Sequence, residues 1–330
     1  MSFLSLDPLD DDTLAHVLAL ARRVQREPLS NVLKGKVLGL VFMNPSLRTL
    51  ASMQAGVAQL GGSSFVITPG AGTWSFETER GMVMDGGKAE HVREAVPVLE
   101  QYCDALGLRC FAEGLDLARD AAEPVLSAFS EAGSKPLINL ESAMDHPCQA
   151  LADRKTLDDL GVPTDGKIVL TWTWHPKALP LAVPAAVAAM AVRRGMELVI
   201  HRPEGFGMPA PVAARIDAQA ARGGGSWSET DSADALEGAH VIYAKSWGAT
   251  AAYGDATADA ELRGGLRAWC VDEDWFLPAR SDASFLHCLP VRRNVVVTDR
   301  ILDGPRARVV QQAGNRLHVQ KALLWHLLGS

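Results

Sequence analysis

Several short clusters of polar and charged side chains carry types and spacings that could do chemistry. The segment Asn44-Pro45-Ser46-Leu47-Arg48-Thr49 places two hydroxyls and a guanidinium at the expected start of a helix, where free backbone N–H groups and the helix dipole favour an anion. This would be a phosphate cradle without Walker glycines. The same residues also suit an Asn-Pro turn with a Ser cap and a surface Arg. In Asp145-His146-Pro147-Cys148-Gln149, Pro147 fits the first position of a helix. His146 and Gln149, three residues apart, can then address one ligand, a neutral imidazole donating to a carbonyl oxygen as charge develops there. A capping His and a solvated Gln are the alternative. Arg109 adds a cation near the end of an expected strand, where a solvated Arg is equally common. In His287-Cys288-Leu289-Pro290-Val291-Arg292-Arg293-Asn294, Cys288 could be a nucleophile or a buried thiol. No His/Asp partner follows from its spacing, so covalent catalysis is not expected. Trp172-Thr173-Trp174-His175-Pro176-Lys177 and Tyr243-Ala244-Lys245-Ser246-Trp247 end two further expected strands with aromatic and cationic groups. Trp74 closes a Gly-containing loop followed by Glu77 and Arg80, and Arg316 opens the last helix.

These clusters need elements to position them, and the hydrophobic periodicity supplies a repeated βαβ pattern. Expected strands cover residues 36–42, 64–68, 105–111 and 136–140, then 167–173, 197–202, 240–245, 268–271 and 284–287. Expected helices cover 13–26, 46–60, 90–102, 117–132, 147–160, 179–194, 209–222 and 315–328. The fold class is therefore α/β: two doubly wound parallel-sheet domains joined by interdomain helices, residues 1–150 and 151–314, with the helix of 315–330 returning to the first. In open α/β sheets ligands bind beyond the carboxyl ends of strands, which is where the clusters fall.

Length and composition narrow the function classes. A chain of 330 residues exceeds the usual single core of about 100 to 200 residues. With 48% hydrophobic and 22% charged residues it is neither disordered nor fibrous. A net charge of −7 without a Lys/Arg run makes nucleic acid an unexpected partner. The apolar run at 179–192 is short of the roughly 20 residues of a membrane span. No signal or transit peptide is expected at the acidic N-terminus, and five cysteines without metal-ligand spacing suit a reduced, cytoplasmic compartment and no metal. A dehydrogenase would need GxGxxG, whereas Gly70-Ala71-Gly72-Thr73-Trp74-Ser75 lacks the third glycine.

Taken together, Ser46-Leu47-Arg48-Thr49 resembles the SxRT phosphate motif of the aspartate/ornithine carbamoyltransferase family, His146 to Gln149 its HPxQ and His287 to Pro290 its HCLP. Their order spans nearly the whole chain. Within that family, Trp74, Lys245-Ser246-Trp247 and Asn315-Arg316-Leu317 resemble the N-acylornithine branch. The resemblance implies transfer of a carbamoyl group from carbamoyl phosphate to the δ-amine of an acylated ornithine, for arginine synthesis, with no cofactor and no metal, by a homotrimer with shared sites. It implies that residues 1–150 bind carbamoyl phosphate and 151–314 the acyl-ornithine. Ser46, Leu47, Arg48, Thr49 and Arg109 would hold the phosphate, and His146, Pro147, Cys148, Gln149, Cys288, Leu289 and Arg316 would surround the carbamoyl group, with Trp74 coming from an adjacent subunit. Arg48, His146, Gln149 and Cys288 would be the catalytic set. Glu141, His175 and Lys245 would contact the acyl-ornithine, with Arg292 a further candidate.

Two local features bear on substrate. Acetyl-specific members resemble DGxxEEH after the Trp, whereas this chain reads Asp85-Gly86-Gly87-Lys88-Ala89-Glu90-His91. Ala89 removes a carboxylate that would repel a succinyl carboxylate and leaves room for it. The expectation is therefore N-succinylornithine, with N-acetylornithine as the alternative; the DxxSMG loop of the free-ornithine enzymes is not found. The family commonly reads SxRTR, but Leu50 stands at the second Arg. That departure keeps open a catalytically inactive, anion-binding relative, a reading from another class.

Overall fold

The structure is a computed structural model and describes residues 2–329. The chain divides into two compact units, one formed by Met1–Ala112, Ala122–Cys148 and Arg316–Ser330, the other by Glu113–Ala121 and Gln149–Asn315. In chain order the elements begin α1 (Asp11–Arg26), β1 (Val37–Phe42), α2 (Leu47–Gln59), β2 (Ser63–Ile67), β3 (Ser75–Glu77), β4 (Lys88–His91), α3 (Val92–Tyr102) and β5 (Ala105–Arg109). They continue with α4 (Leu117–Ala121), α5 (Pro124–Ala132), β6 (Leu137–Glu141), α6 (Pro147–Asp159), β7 (Lys167–Trp172), α7 (Ala182–Arg193) and β8 (Glu197–His201). The last are α8 (Ala210–Gly223), β9 (Ser226–Thr230), β10 (Val241–Lys245), α9 (Ala256–Gly264), β11 (Ser284–Leu286), α10 (Asp299–Leu302) and α11 (Val309–Leu328).

The first unit is built on a four-stranded parallel sheet, β2-β1-β5-β6, with β3 and β4 as a separate ribbon. Its strands are nearly continuous apolar runs because helices cover both faces. Gly39 in β1 is required by packing: a Cβ there would lie 2.7 Å from Leu106 Cδ2 and 2.9 Å from Phe65 Cζ. The helices carry their own signals. Asp10 caps α1 by accepting from the Thr13 N–H, acidic Asp11 and Asp12 follow at its positive end, and Leu14, Val17, Leu18, Ala21 and Val24 form its buried stripe.

The second unit is a five-stranded parallel sheet, β11-β10-β7-β8-β9. The whole of the Ala-rich α7 is buried, its small side chains allowing close approach to neighbours. A core of Val169, Ile242, Phe285, Val297 and Ile301 holds β7, β10 and β11 to the chain that follows them. Among the described residues no helix is long and apolar enough to cross a membrane.

Several expected elements differ. The helix expected over 117–132 is two helices, because Pro124 cannot continue α4 and Glu123 adopts a left-handed conformation (φ 52°) before it. Residues 268–271 make one isolated bridge, Val271 to Val297, and no strand. The polar β9 and the β3–β4 ribbon lack the apolar periodicity that marks strands and were not expected. The last helix begins at Val309, six residues before the expected 315. Residues 113–121 fall in the second unit, not with the rest of 1–150.

Candidate active site

Parallel pairing brings the carboxyl ends of β1, β5 and β6 to one edge of the first sheet. After β1, Asn44 Oδ1 accepts from the Phe111 N–H at 2.7 Å, tying the loop that follows β1 to the one that follows β5. Ser46 is extended (φ −155°) and caps α2, accepting from the Thr49 N–H at 3.2 Å while its hydroxyl donates to Thr49 Oγ1 at 3.0 Å. The first N–H groups of α2 have no acceptor inside the helix. Arg316, from α11, donates from Nη2 to the same Thr49 hydroxyl at 2.7 Å. Arg48 is half-buried, whereas Leu47 is 79% exposed and points its chain to solvent.

Arg109 and Glu141 end adjacent strands and form an ion pair, Nη1 to Oε2, with side chains 8% and 11% exposed. Glu141 Oε2 is also 3.5 Å from His146 Nε2. Arg109 stacks its guanidinium 4.4 Å from the Phe111 ring centroid. Burial pulls the Arg316 pKa downward, and its charged neighbours include Glu141, Arg109 and Arg48. Arg109 is paired with Glu141, Arg316 feels the charges of both, and the Nε atoms of Arg109 and Arg316 are buried without a hydrogen-bond partner. Such a set offers spare buried donors, the requirement for an anion with several oxygens.

His146 is placed by a residue that the sequence did not single out. Glu123 accepts from Ser142 Oγ (2.7 Å), Ala143 N (3.0 Å) and Met144 N (2.7 Å), fixing the turn from β6 into α6. Burial raises the Glu123 pKa against those hydrogen bonds. Pro147 opens α6 as expected from its missing N–H. Cys148 is fully buried, its thiol donating to the Asn139 carbonyl at 3.5 Å, and burial pushes its pKa up to about 12. A thiol at that pKa is no nucleophile near neutrality.

In the second unit, Gln149 Nε2 donates to Asp153 Oδ1 at 2.8 Å, one turn along α6. Gln312 Nε2 donates to the same oxygen at 2.6 Å, and Tyr243 OH donates to Asp153 Oδ2 at 3.1 Å. Gln312 Oε1 in turn accepts from the His287 N–H at 3.0 Å, and His287 Nδ1 accepts from the Leu289 N–H at 2.9 Å. Cys288 is buried between those two residues, and Leu289 is half-buried with a left-handed backbone (φ 57°) ahead of a cis Pro290. Burial, then the negative charge of Asp153, hold the Tyr243 phenol well above its ordinary pKa. Asp153 and Gln312 were absent from the sequence reading; only the i, i+4 spacing of Gln149 and Asp153 could have hinted at the first of them.

Beyond β7, Arg292 Nε donates to His175 Nε2 at 3.0 Å and His175 Nδ1 lies 2.9 Å from the Lys177 carbonyl. An Nε2 that accepts from Arg292 carries no proton, so this ring is neutral, and its Nδ1 meets both the Lys177 carbonyl and, at 3.1 Å, the Lys177 N–H. Burial lowers the His175 pKa, the Lys177 carbonyl opposes this, and the Arg292, Lys245 and Arg263 cations lower it further. Lys245 is half-buried at the end of β10. The first unit thus gathers Ser46, Thr49, Arg109, Glu141, His146 and Arg316, and the second gathers His175, Lys245 and Arg292. Glu141, expected to contact the acceptor substrate, is paired with Arg109. Trp74, in the loop just before β3, and Ala89, in β4, are exposed, Trp74 donating from Nε1 to Glu90 at 2.6 Å. Trp74 also lines a pocket of about 350 Å³ with Val66, Phe76, Val98 and Leu99.

Residues 1–159 match the aspartate/ornithine carbamoyltransferase carbamoyl-P binding domain, and residues 183–327 match the corresponding Asp/Orn binding domain. The chain is 38% identical to the N-acetylornithine carbamoyltransferase of Xanthomonas campestris, covering 99% of this chain and 97% of that one. It is also 38% identical to the N-succinylornithine carbamoyltransferase of Bacteroides thetaiotaomicron, covering 93% and 92%. A crystal structure of N-acetyl-L-ornithine transcarbamylase, with a glutamate replaced by alanine and in complex with carbamyl phosphate and N-succinyl-L-norvaline, superposes with a TM-score of 0.95 at 37% identity over 99% of each chain.

Proposed function

Because the chain belongs to the aspartate/ornithine carbamoyltransferase family and is a carbamoyltransferase, we propose that it carries the carbamoyl group of carbamoyl phosphate to the δ-amine of N-succinyl-L-ornithine. The products are N-succinylcitrulline and phosphate, a step of arginine biosynthesis in the cytoplasm. The amine nitrogen bonds to the carbamoyl carbon, the bond from that carbon to the phosphate oxygen breaks, and the amine gives up one proton. Such a reaction asks the protein to hold a labile mixed anhydride, polarise its carbonyl and deliver an unprotonated amine, so positioning and oxyanion stabilisation outweigh covalent chemistry.

The observation that carries this reading is the guanidinium cluster at Arg316, which donates to Thr49 and has Arg109 and Arg48 as charged neighbours, with the buried Nε donors of Arg109 and Arg316 left over. We assign the phosphate to Ser46, Arg48, Thr49 and Arg109 and the carbonyl oxygen to His146 and Arg316. Gln149, Cys288 and Leu289 serve the carbamoyl group by their likeness to HPxQ and HCLP. His175, Lys245 and Arg292 serve the acceptor, with Glu141. Leu50 removes a cation near the cradle, which Arg316 on Thr49 offsets. The enzyme acts as a homotrimer in which Trp74 and Ala89 serve a neighbouring copy.

The acyl group is argued from Ala89. A glutamate there would meet a succinyl carboxylate with like charge, and alanine does not. A relative with one glutamate exchanged for alanine holds a succinylated ligand, which supports the same logic. N-acetylornithine is the second reading, favoured by the Xanthomonas relative. Phosphate release from carbamoyl phosphate that depends on added N-succinylornithine tests the proposal; release at the same rate without any acceptor contradicts it.

A further inference from the structure

Asp153 is completely buried and takes three hydrogen bonds from Gln149 Nε2, Gln312 Nε2 and Tyr243 OH. A carboxylate only accepts. Its Oδ1 therefore dictates which way both glutamine amides face: each must turn its NH2 toward Asp153 and its carbonyl oxygen away. For Gln312 the carbonyl is used by the His287 N–H. For Gln149, 1% exposed, Oε1 is buried with no hydrogen-bond partner. An unmet buried acceptor is costly unless something with an N–H or O–H meets it.

We propose that Asp153 is a positioning residue that locks the Gln149 amide with its carbonyl oxygen presented to substrate, and so makes the enzyme select an acyl phosphate carrying an NH2 group over one carrying a methyl. This rests on the carbamoyl-phosphate reading above. Asp153 touches no substrate; it acts through Gln149, and through Gln312 it anchors the backbone of the His287–Leu289 turn. A carbamoyl group offers two N–H donors to Oε1, whereas an acetyl group of similar size offers none. A site built to pair an N–H rejects the analogue lacking it strongly, because its own polar atom is left unpaired.

The test compares binding of carbamoyl phosphate and of acetyl phosphate to the whole enzyme and to Asp153→Asn. The wild type prefers carbamoyl phosphate by about tenfold or more. In Asp153→Asn the amide at 153 can offer N–H as well as C=O, so Gln149 is free to invert. The preference then collapses toward unity through loss of carbamoyl phosphate affinity, while acetyl phosphate binding stays within about twofold. A merely structural role would weaken both ligands together, and that parallel loss, or an unchanged preference, overturns the inference. Should Asp153→Asn not fold, the exchanged pair Gln149→Glu with Asp153→Asn keeps one buried charge and returns an acceptor-only group to position 149. Its preference should return to within about threefold of the wild type, and a pair that binds the two ligands equally overturns the inference. A wild type that binds neither ligand removes the functional reading and the inference with it, whereas a wild type that discriminates normally while Asp153→Asn does the same removes the inference alone.

Discussion

Arg109 and Glu141 lie at matched positions at the carboxyl ends of β5 and β6 and form a buried ion pair with His146 Nε2 3.5 Å from the shared carboxylate oxygen. The shared carboxylate places the expected phosphate ligand and the expected carbonyl polariser on either side of Glu141. Breaking a buried pair by removing one partner costs about 3–5 kcal/mol, because the other charge stays behind uncompensated. Arg109→Met should therefore lower the unfolding free energy by that order in a urea titration, and inorganic phosphate should raise its Tm little. Glu141→Gln leaves Arg109 and Arg316 with less compensation, so phosphate should raise its Tm more than it raises that of the wild type. Equal phosphate shifts in all three proteins would contradict the assignment of this cluster to an anion.

Arg48 sits in the first turn of α2, and a guanidinium on a phosphate is a charge-assisted contact of about 1.5–3 kcal/mol. Arg48→Ala should reduce kcat/KM for carbamoyl phosphate by about 100-fold, with the acceptor KM little changed. Turnover at the wild-type rate would show that the cradle lies elsewhere.

The neutral state of His175 has a pH signature. Its pKa in the folded protein lies below the ordinary 6.5, so the unfolded chain binds more protons in that range. Stability from this group is complete above about pH 6.5 and declines as pH falls toward the lowered folded value. Protonation there also removes the Nε2 acceptor for Arg292. The acceptor KM should rise as pH falls through that lowered value, below the ordinary 6.5, and His175→Gln should flatten that rise in a steady-state pH series. A rise that persists unchanged in His175→Gln assigns it to another group.

Ala89 is exposed in β4, beside Glu90, which accepts from Trp74. Ala89→Glu should depress activity with N-succinylornithine through charge repulsion and lost space while sparing N-acetylornithine. Unchanged succinyl kinetics in that variant would defeat the pocket argument.

The legible parts of this protein were those whose signals are local. VLGLVF in β1, the Ser46 cap of α2 and Pro147 at the head of α6 announce themselves within a few residues, and the three motif clusters lie beside them. The illegible parts depend on distant partners. Nothing near Thr49 reveals that Arg316 donates to it across 267 residues, and nothing near His287 reveals that Gln312 holds its N–H. Asp153 reads as one more acidic residue on a helix until Tyr243 and Gln312 are folded against it. Glu123 was hidden for another reason: a left-handed residue before Pro124 interrupts a helical periodicity that otherwise runs from 117 to 132.

The central claim, carbamoyl transfer to a succinylated ornithine, is met most directly by measuring citrulline formation from carbamoyl phosphate with N-succinyl-, N-acetyl- and unmodified ornithine side by side. The expected result is the highest kcat/KM with N-succinylornithine, lower with N-acetylornithine and negligible with ornithine. Preference for N-acetylornithine would contradict the Ala89 argument while leaving the reaction in place, and no product with any of the three would contradict the assigned reaction itself.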